Sequence, residues 1–229
     1  MKEKFYVFLD IDGTLWDYSF LRKTNSLIYK LNPDSIDAIN RLINKIDEKF
    51  DCELVITSQR RKDWDECKNF LLSSGLKYDK ELKRIKVNDK KPRGIKIAEY
   101  MENDLKGREF SNHKNFNPII ATIKTRVVAK KMSQNFVVID DNMNPLIGLI
   151  PYKNIVKTDI NYESFNLSMA NRIINQFVNS DLENDKNSNS IKEESNNDNN
   201  VNDKNSIKDN IASDKENEVQ NVNVDDSIM

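Results

Sequence analysis

Histidine is nearly missing from this chain: among 229 residues there is one, His113, set in the polar stretch Ser-Asn-His-Lys-Asn. With no second imidazole to pair with, histidine-paired catalysis and histidine metal sites are excluded. Cysteine is scarce as well. Cys52 and Cys67 are too few for a disulfide framework and match no metal-knuckle spacing, so they read as ordinary reduced thiols of a cytoplasmic protein. No stretch approaches the ~18 consecutive apolar residues of a membrane span. The opening MKEKFYVFLD carries only a short apolar run before Asp10, which predicts no signal peptide.

Aromatic residues are also absent from one region. Residues 181–229 contain no Phe, Tyr or Trp, and Asn, Asp, Lys and Ser dominate there. Such a segment cannot bury enough apolar surface to offset the entropy of ordering its backbone, so a disordered tail is expected over 180–229 and a folded domain over 1–179. Charge divides along the same line. The tail holds 13 Asp/Glu against 5 Lys, while the whole chain is −1, leaving the folded part near +7. That surplus suits an anionic substrate but is far weaker than the basic stripe of a dedicated nucleic-acid binder. The acidic tail is a candidate segment for a protein partner.

What is present has a clear rhythm. Phe5–Leu9 is a continuous apolar run that stops at Asp10-Ile11-Asp12-Gly13, Cys52–Ile56 stops at Thr57-Ser58, and Phe136–Ile139 stops at Asp140-Asp141. Each reads as a strand buried on both faces. Between them, Ile36, Ile39, Leu42, Ile43 and Ile46 share one helical face behind Pro33-Asp34. Further helices are expected around Trp64–Leu72, closed by Gly75, around Ile95–Met101, and from Ile119 to Met132. Alternating strands and helices predict an α/β fold: a doubly wound, Rossmann-like parallel sheet with helices on both faces. Parallel strands deliver their C-terminal residues to one crevice, so the hydroxyls and carboxylates that end these three runs should meet there.

Asp10-Ile11-Asp12-Gly13-Thr14, following an apolar strand, resembles the first motif of the haloacid dehalogenase-like (HAD) phosphatases, and that resemblance implies phosphoryl transfer at the crevice, which these residue types can carry out. A carboxylate can attack phosphorus to give an acyl-phosphate, dividing one hard hydrolysis into two easier steps. A second acid must protonate the leaving oxygen and then activate water. Residues two apart on a strand point the same way, and Gly13 lets the chain turn sharply, so Asp10 and Asp12 are candidates for the two roles. Read alone, Asp-Ile-Asp-Gly-Thr is equally a strand-ending turn. By the same resemblance Thr57 and Ser58 are candidate phosphate ligands; as a bare pair they are more often a cap for a helix over Gln59–Leu72, and both can hold, since a helix start attracts anions. Arg60 and Arg61 follow, where a basic side chain either assists or is simply solvated. Asp140-Asp141 is a further acidic pair of the kind magnesium takes together with water and phosphate oxygens.

Asp10-Ile11-Asp12-Gly13-Thr14 after an apolar strand resembles the first motif, DxDGT, of the haloacid dehalogenase-like (HAD) phosphatase superfamily. Thr57-Ser58 resembles its second motif and Asp140-Asp141 its fourth. The third is a cation at a helix start: Arg93-Gly-x-x-Ile-x-x-aromatic resembles the HAD domains associated with RNA-repair proteins, while Lys91 before Pro92 fits the commoner Lys-Pro form, and both stand as candidates. Val156-Lys157-Thr158-Asp159 resembles the ending of those same domains. The resemblance spans most of residues 5–160. It implies a magnesium-dependent phosphohydrolase with Asp10 as nucleophile, Asp12 as acid/base, Thr57, Ser58, Arg93 and Lys91 around the phosphate, and Asp10, Asp12, Asp140 and Asp141 around Mg2+. Phosphorylated receiver domains use similar groups, but there an acidic pair precedes the acceptor Asp; here it comes last.

Trp16 and Tyr18 fall where that superfamily carries a small flap, and either shield the site or simply pack. The connections are too short for a large cap, residues 104–134 excepted, so an open site is expected. It would admit a phosphorylated small molecule or a nucleic-acid end. A polynucleotide-end phosphatase and a non-catalytic interaction protein on the same fold are the alternatives to a general phosphomonoesterase.

Overall fold

The computed structural model describes residues 2–25, 30–86, 91–107 and 117–179. Expectations about the tail at 180–229, His113 and Lys90 lie outside the described residues.

Five strands form one all-parallel sheet: β1 (Lys4–Leu9), β2 (Asp51–Ile56), β3 (Lys83–Arg84), β4 (Phe136–Asp140) and β5 (Ile155–Lys157). Their spatial order is β3-β2-β1-β4-β5. The chain therefore steps outward from β1 to β3, returns to the far side of β1 as β4, and continues outward to β5. Strand order reverses between β1 and β4, and in such sheets ligands bind outside the carboxyl ends of the strands at that reversal.

Side-chain alternation on β1 explains the layers. Phe5, Val7 and Leu9 enter one apolar cluster, and Tyr6 and Phe8 enter another on the opposite face. The first cluster is closed by α2 (Pro33–Lys49), α3 (Trp64–Ser73) and α6 (Leu167–Ile173); α4 (Arg93–Leu105) and α5 (Pro118–Lys131) close the second. α2 begins as its sequence predicts, with Asn32 accepting from the Asp34 N–H and Pro33 in the first turn. A short α1 (Tyr18–Lys23) is capped by Asp17. After α6 the chain winds on through Ile174–Val178, where Phe177 packs edge-on against Phe5 at 5.4 Å.

The structure adds to the sequence expectation at three places. β3 and β5, of two and three residues, are too short to show as apolar runs. The helix expected around Trp64–Leu72 is present as α3, while Gln59–Lys62 forms a separate 3-10 turn, so Ser58 caps that short turn rather than a helix running from Gln59. Residues 118–131, inside the stretch considered for a cap, form α5 and pack against α4 as part of the helical layer. Among the described residues no helix is long and apolar enough to cross a membrane.

Candidate active site

Leu9 pairs with Ile56 on one side and Ile139 on the other, so the next residues, Asp10, Thr57 and Asp140, end their strands at one level. The Asp10 N–H donates to the Ile139 carbonyl at 3.0 Å and the Thr57 N–H to the Leu9 carbonyl at 2.8 Å, which locks that alignment. Asp10 and Asp140 are buried and Asp141 is half-buried. One carboxylate oxygen from each of the three can be chosen so that all lie within 4.8 Å of one another. Asp12 is not one of this group of three.

Gly13 makes room for this convergence. Its φ is +76°, a region L side chains rarely adopt, and a Cβ there would stand 2.5 Å from the Asp141 Oδ2. Close approach of the Gly13 backbone is what lets the Asp141 carboxylate sit beside the first turn.

Crowding three acids into a dry crevice is electrostatically costly. Burial, and then the Asp140 charge, push Asp10 up to about 8, against the partial relief of Arg93. Asp140 and Asp141 are likewise raised, first by burial. Arg93 opens α4 and brings its Nη1 against the Asp140 Oδ2 and to 3.9 Å from the Asp10 Oδ1. Burial lowers the guanidinium pKa, but Asp140 and Asp10 outweigh it and the net shift is upward, so the charge is kept. The other candidate cation, Lys91, has its Nζ on Glu99 at 2.8 and 3.0 Å. The structure thus brings Arg93 to the acids and pairs the Lys91 ammonium with Glu99. Gly94 permits this helix start to sit tightly, since a Cβ there would meet the Leu149 Cβ at 2.9 Å.

Asp12 is held from three sides. Arg60 Nε donates to its Oδ1 at 2.8 Å, Trp16 Nε1 to the same oxygen at 3.2 Å, and Ser58 Oγ to its Oδ2 at 3.3 Å. Trp16 is buried and packs against the exposed Tyr18, so packing and a polar contact coexist in the region considered as a flap. Thr57 is fully buried, and its Oγ1 has no hydrogen-bond partner among the described residues. An unpaired buried hydroxyl costs about 1–3 kcal/mol, which a ligand oxygen would relieve. Thr14 and Thr158 face each other, Oγ1 to Oγ1 at 3.2 Å, and join the first turn to the end of β5.

Arg61 is the residue whose role the sequence did not disclose. Far from being solvated, it is buried and donates to the carbonyls of Thr57 (2.6 Å), Ser58, Ile85 (3.2 Å) and Lys86 (3.4 Å). It thereby ties the Thr57-Ser58 turn to the chain leaving β3.

A buried set of hard oxygen donors at the switch point, a guanidinium against it and an unpaired hydroxyl one strand over suit a divalent cation and an anion together. The sheet and this acid cluster define a doubly wound α/β domain with an acidic crevice. More specifically, the chain belongs to the family described as the HAD domain in Swiss Army Knife RNA repair proteins, whose model matches residues 6–162. No curated protein and no solved structure gave a match.

Proposed function

We propose that this domain is a magnesium-dependent phosphohydrolase that cleaves a phosphate monoester through an aspartyl-phosphate on Asp10. The observation that carries the reading is the meeting of Asp10, Asp140 and Asp141 under Arg93 at the β1/β4 switch point. A carboxylate oxygen of Asp10 attacks phosphorus, the bond to the leaving oxygen breaks, and Asp12 gives that oxygen a proton. Asp12 then takes a proton from water, whose oxygen attacks phosphorus. The Asp10–phosphorus bond breaks, inorganic phosphate leaves and the carboxylate returns. Arg93, Thr57 and Ser58 would hold the phosphoryl oxygens, with Lys91 left on Glu99. Asp10, Asp140 and Asp141 would hold Mg2+, which when bound neutralises charge on those oxygens.

The family description favours a second, narrower reading, a polynucleotide-end phosphatase acting in nucleic-acid repair. Two buried free cysteines support a reducing, cytoplasmic setting. We place the domain boundary at 179/180 and regard the acidic residues beyond it as a segment for a protein partner.

The test is turnover of an aryl phosphate, a panel of phosphorylated metabolites and end-phosphorylated RNA and DNA, each with Mg2+ and with excess chelator. Magnesium-dependent release of phosphate from any of them supports the reading. Activity undiminished in chelator, or no release from any member, overturns it.

A further inference from the structure

Beside Asp12, away from Arg93, lies a group of cations and rings that the proposed chemistry does not use. Arg60 spans from Asp12 (2.8 Å) to the face of Phe70, with its Cζ 5.0 Å from the ring centroid. Arg84, exposed at the end of β3, lies over the half-buried Trp64 with its Cζ 5.1 Å from that ring, and its Nη1 donates to the Arg61 carbonyl at 2.7 Å. Lys68 stands over the same ring at 5.7 Å and is shared with Asp65 at 3.1 Å. Trp64 and Lys68 are one helical turn apart on α3, and Cys67 lies between them, buried. Arg60 joins this group to Asp12, and Arg84 is tied to it through the Arg61 carbonyl.

A guanidinium lying on an aromatic face keeps its edge N–H groups directed outward, where they can take phosphate oxygens in pairs. The half-buried Trp64 ring already carries Arg84 and Lys68 over it, so a base would stack there by displacing the Lys68 ammonium, without regard to sequence. A small phosphate ester needs only the acid cluster, Arg93 and the hydroxyls, and would not reach α3.

We infer that Arg60, Arg84 and Trp64 form a subsite for the nucleotide next to the terminal phosphate of a single-stranded polynucleotide, the arginines holding its phosphodiester and Trp64 its base. This deepens the phosphohydrolase reading and rests on it for which phosphate is removed, but binding at the subsite can be measured without turnover. The commitment is to nucleic acid over phosphoprotein because two stacked guanidiniums and a ring occur together on the path leading from Asp12.

The experiment uses the full chain with Mg2+. Binding of a short fluorescent single-stranded RNA with a non-hydrolysable terminal phosphate analogue, and of a phosphoserine peptide of equal charge, is measured by anisotropy over a salt series. Turnover on an aryl phosphate is measured alongside. Variants are Arg84→Ala, Trp64→Leu and, on the opposite face of the sheet, Lys124→Ala as a charge control. Arg84→Ala should weaken RNA binding about five- to tenfold and flatten the salt dependence by about one counterion. Trp64→Leu should weaken it about tenfold through lost stacking, with the salt dependence kept. Lys124→Ala should change nothing. RNA binding equal to wild type in both subsite variants overturns the inference, as does an equal loss with Lys124→Ala. Loss confined to the phosphopeptide overturns it in favour of a protein substrate. If RNA binding depends on Arg84 and Trp64 but no phosphate is released from any ester, the subsite stands and the hydrolase reading falls. Should Trp64→Leu unfold the domain, Arg84→Ala, at an exposed position, decides alone.

Discussion

At the scale of single residues, the site is a balance of charge between three crowded acids and Arg93. Asp10, Asp140 and Asp141 all titrate above the ordinary value of 3.8 in the folded protein, Asp10 up to about 8. The folded state therefore binds more protons than the unfolded chain between those limits, and stability must fall as pH rises through that window. Mg2+ held by these acids, as proposed, would reverse this by favouring the ionised carboxylates. In chelator, the melting temperature should decline from about pH 5 to pH 8. Adding Mg2+ should raise it by several °C at pH 8, as expected for about 2–3 kcal/mol of ligand linkage, and by much less at pH 5. Thermal melts at the two pH values check this; a magnesium effect equal at both would contradict it.

At the scale of elements, what positions the chemistry is the way short turns are tied together. Arg61 joins the turn after β2 to the chain leaving β3 through four backbone carbonyls. Arg61→Met fills the space but strands those acceptors. A loss of about 2–4 kcal/mol is expected, read as a fall on the order of 5–15 °C in melting temperature. Arg61→Lys should recover only part, since an ammonium cannot span the same fork. β1, β2, β4 and α2 to α5 were legible because each is long enough to show an apolar run or a helical face. The carboxylates and hydroxyls at the strand ends were legible for the same reason, since parallel strands must bring their ends together. β3 and β5 fall below the length at which a pattern exists, and α6 follows a polar stretch without a clear face. Whether Arg60 and Arg61 were solvated or buried turned on the interruption of helical structure at Asp63, and the Arg60 contact to Asp12 spans 48 positions. Arg93 and Lys91 could be separated only by geometry, because α4 starts at Arg93 and the Lys91 ammonium turns to Glu99.

For the molecule as a whole, the first 179 residues are proposed to suffice for folding and turnover. Phe177 against Phe5 and the Lys49 Nζ on the Val178 carbonyl at 3.1 Å tie the last turn into the core, so a cut must fall after them. Truncation after Asn179 should leave the melting temperature and aryl phosphate turnover nearly unchanged, whereas truncation before α6 should unfold the domain. A loss of several °C in the longer truncation would show that the boundary is misplaced. The central claim concerns Asp10, whose position at the β1/β4 switch point is the one feature every later step requires. It is tested most directly by phosphate release in Mg2+ by Asp10→Asn, on the best substrate of the wild type and with the protein freed of contaminating phosphatase. An amide cannot form the acyl-phosphate, so turnover should vanish. Asp12→Asn should instead slow turnover by about 10²–10⁴-fold and allow a phosphoenzyme to accumulate. Near wild-type turnover by Asp10→Asn would contradict the account.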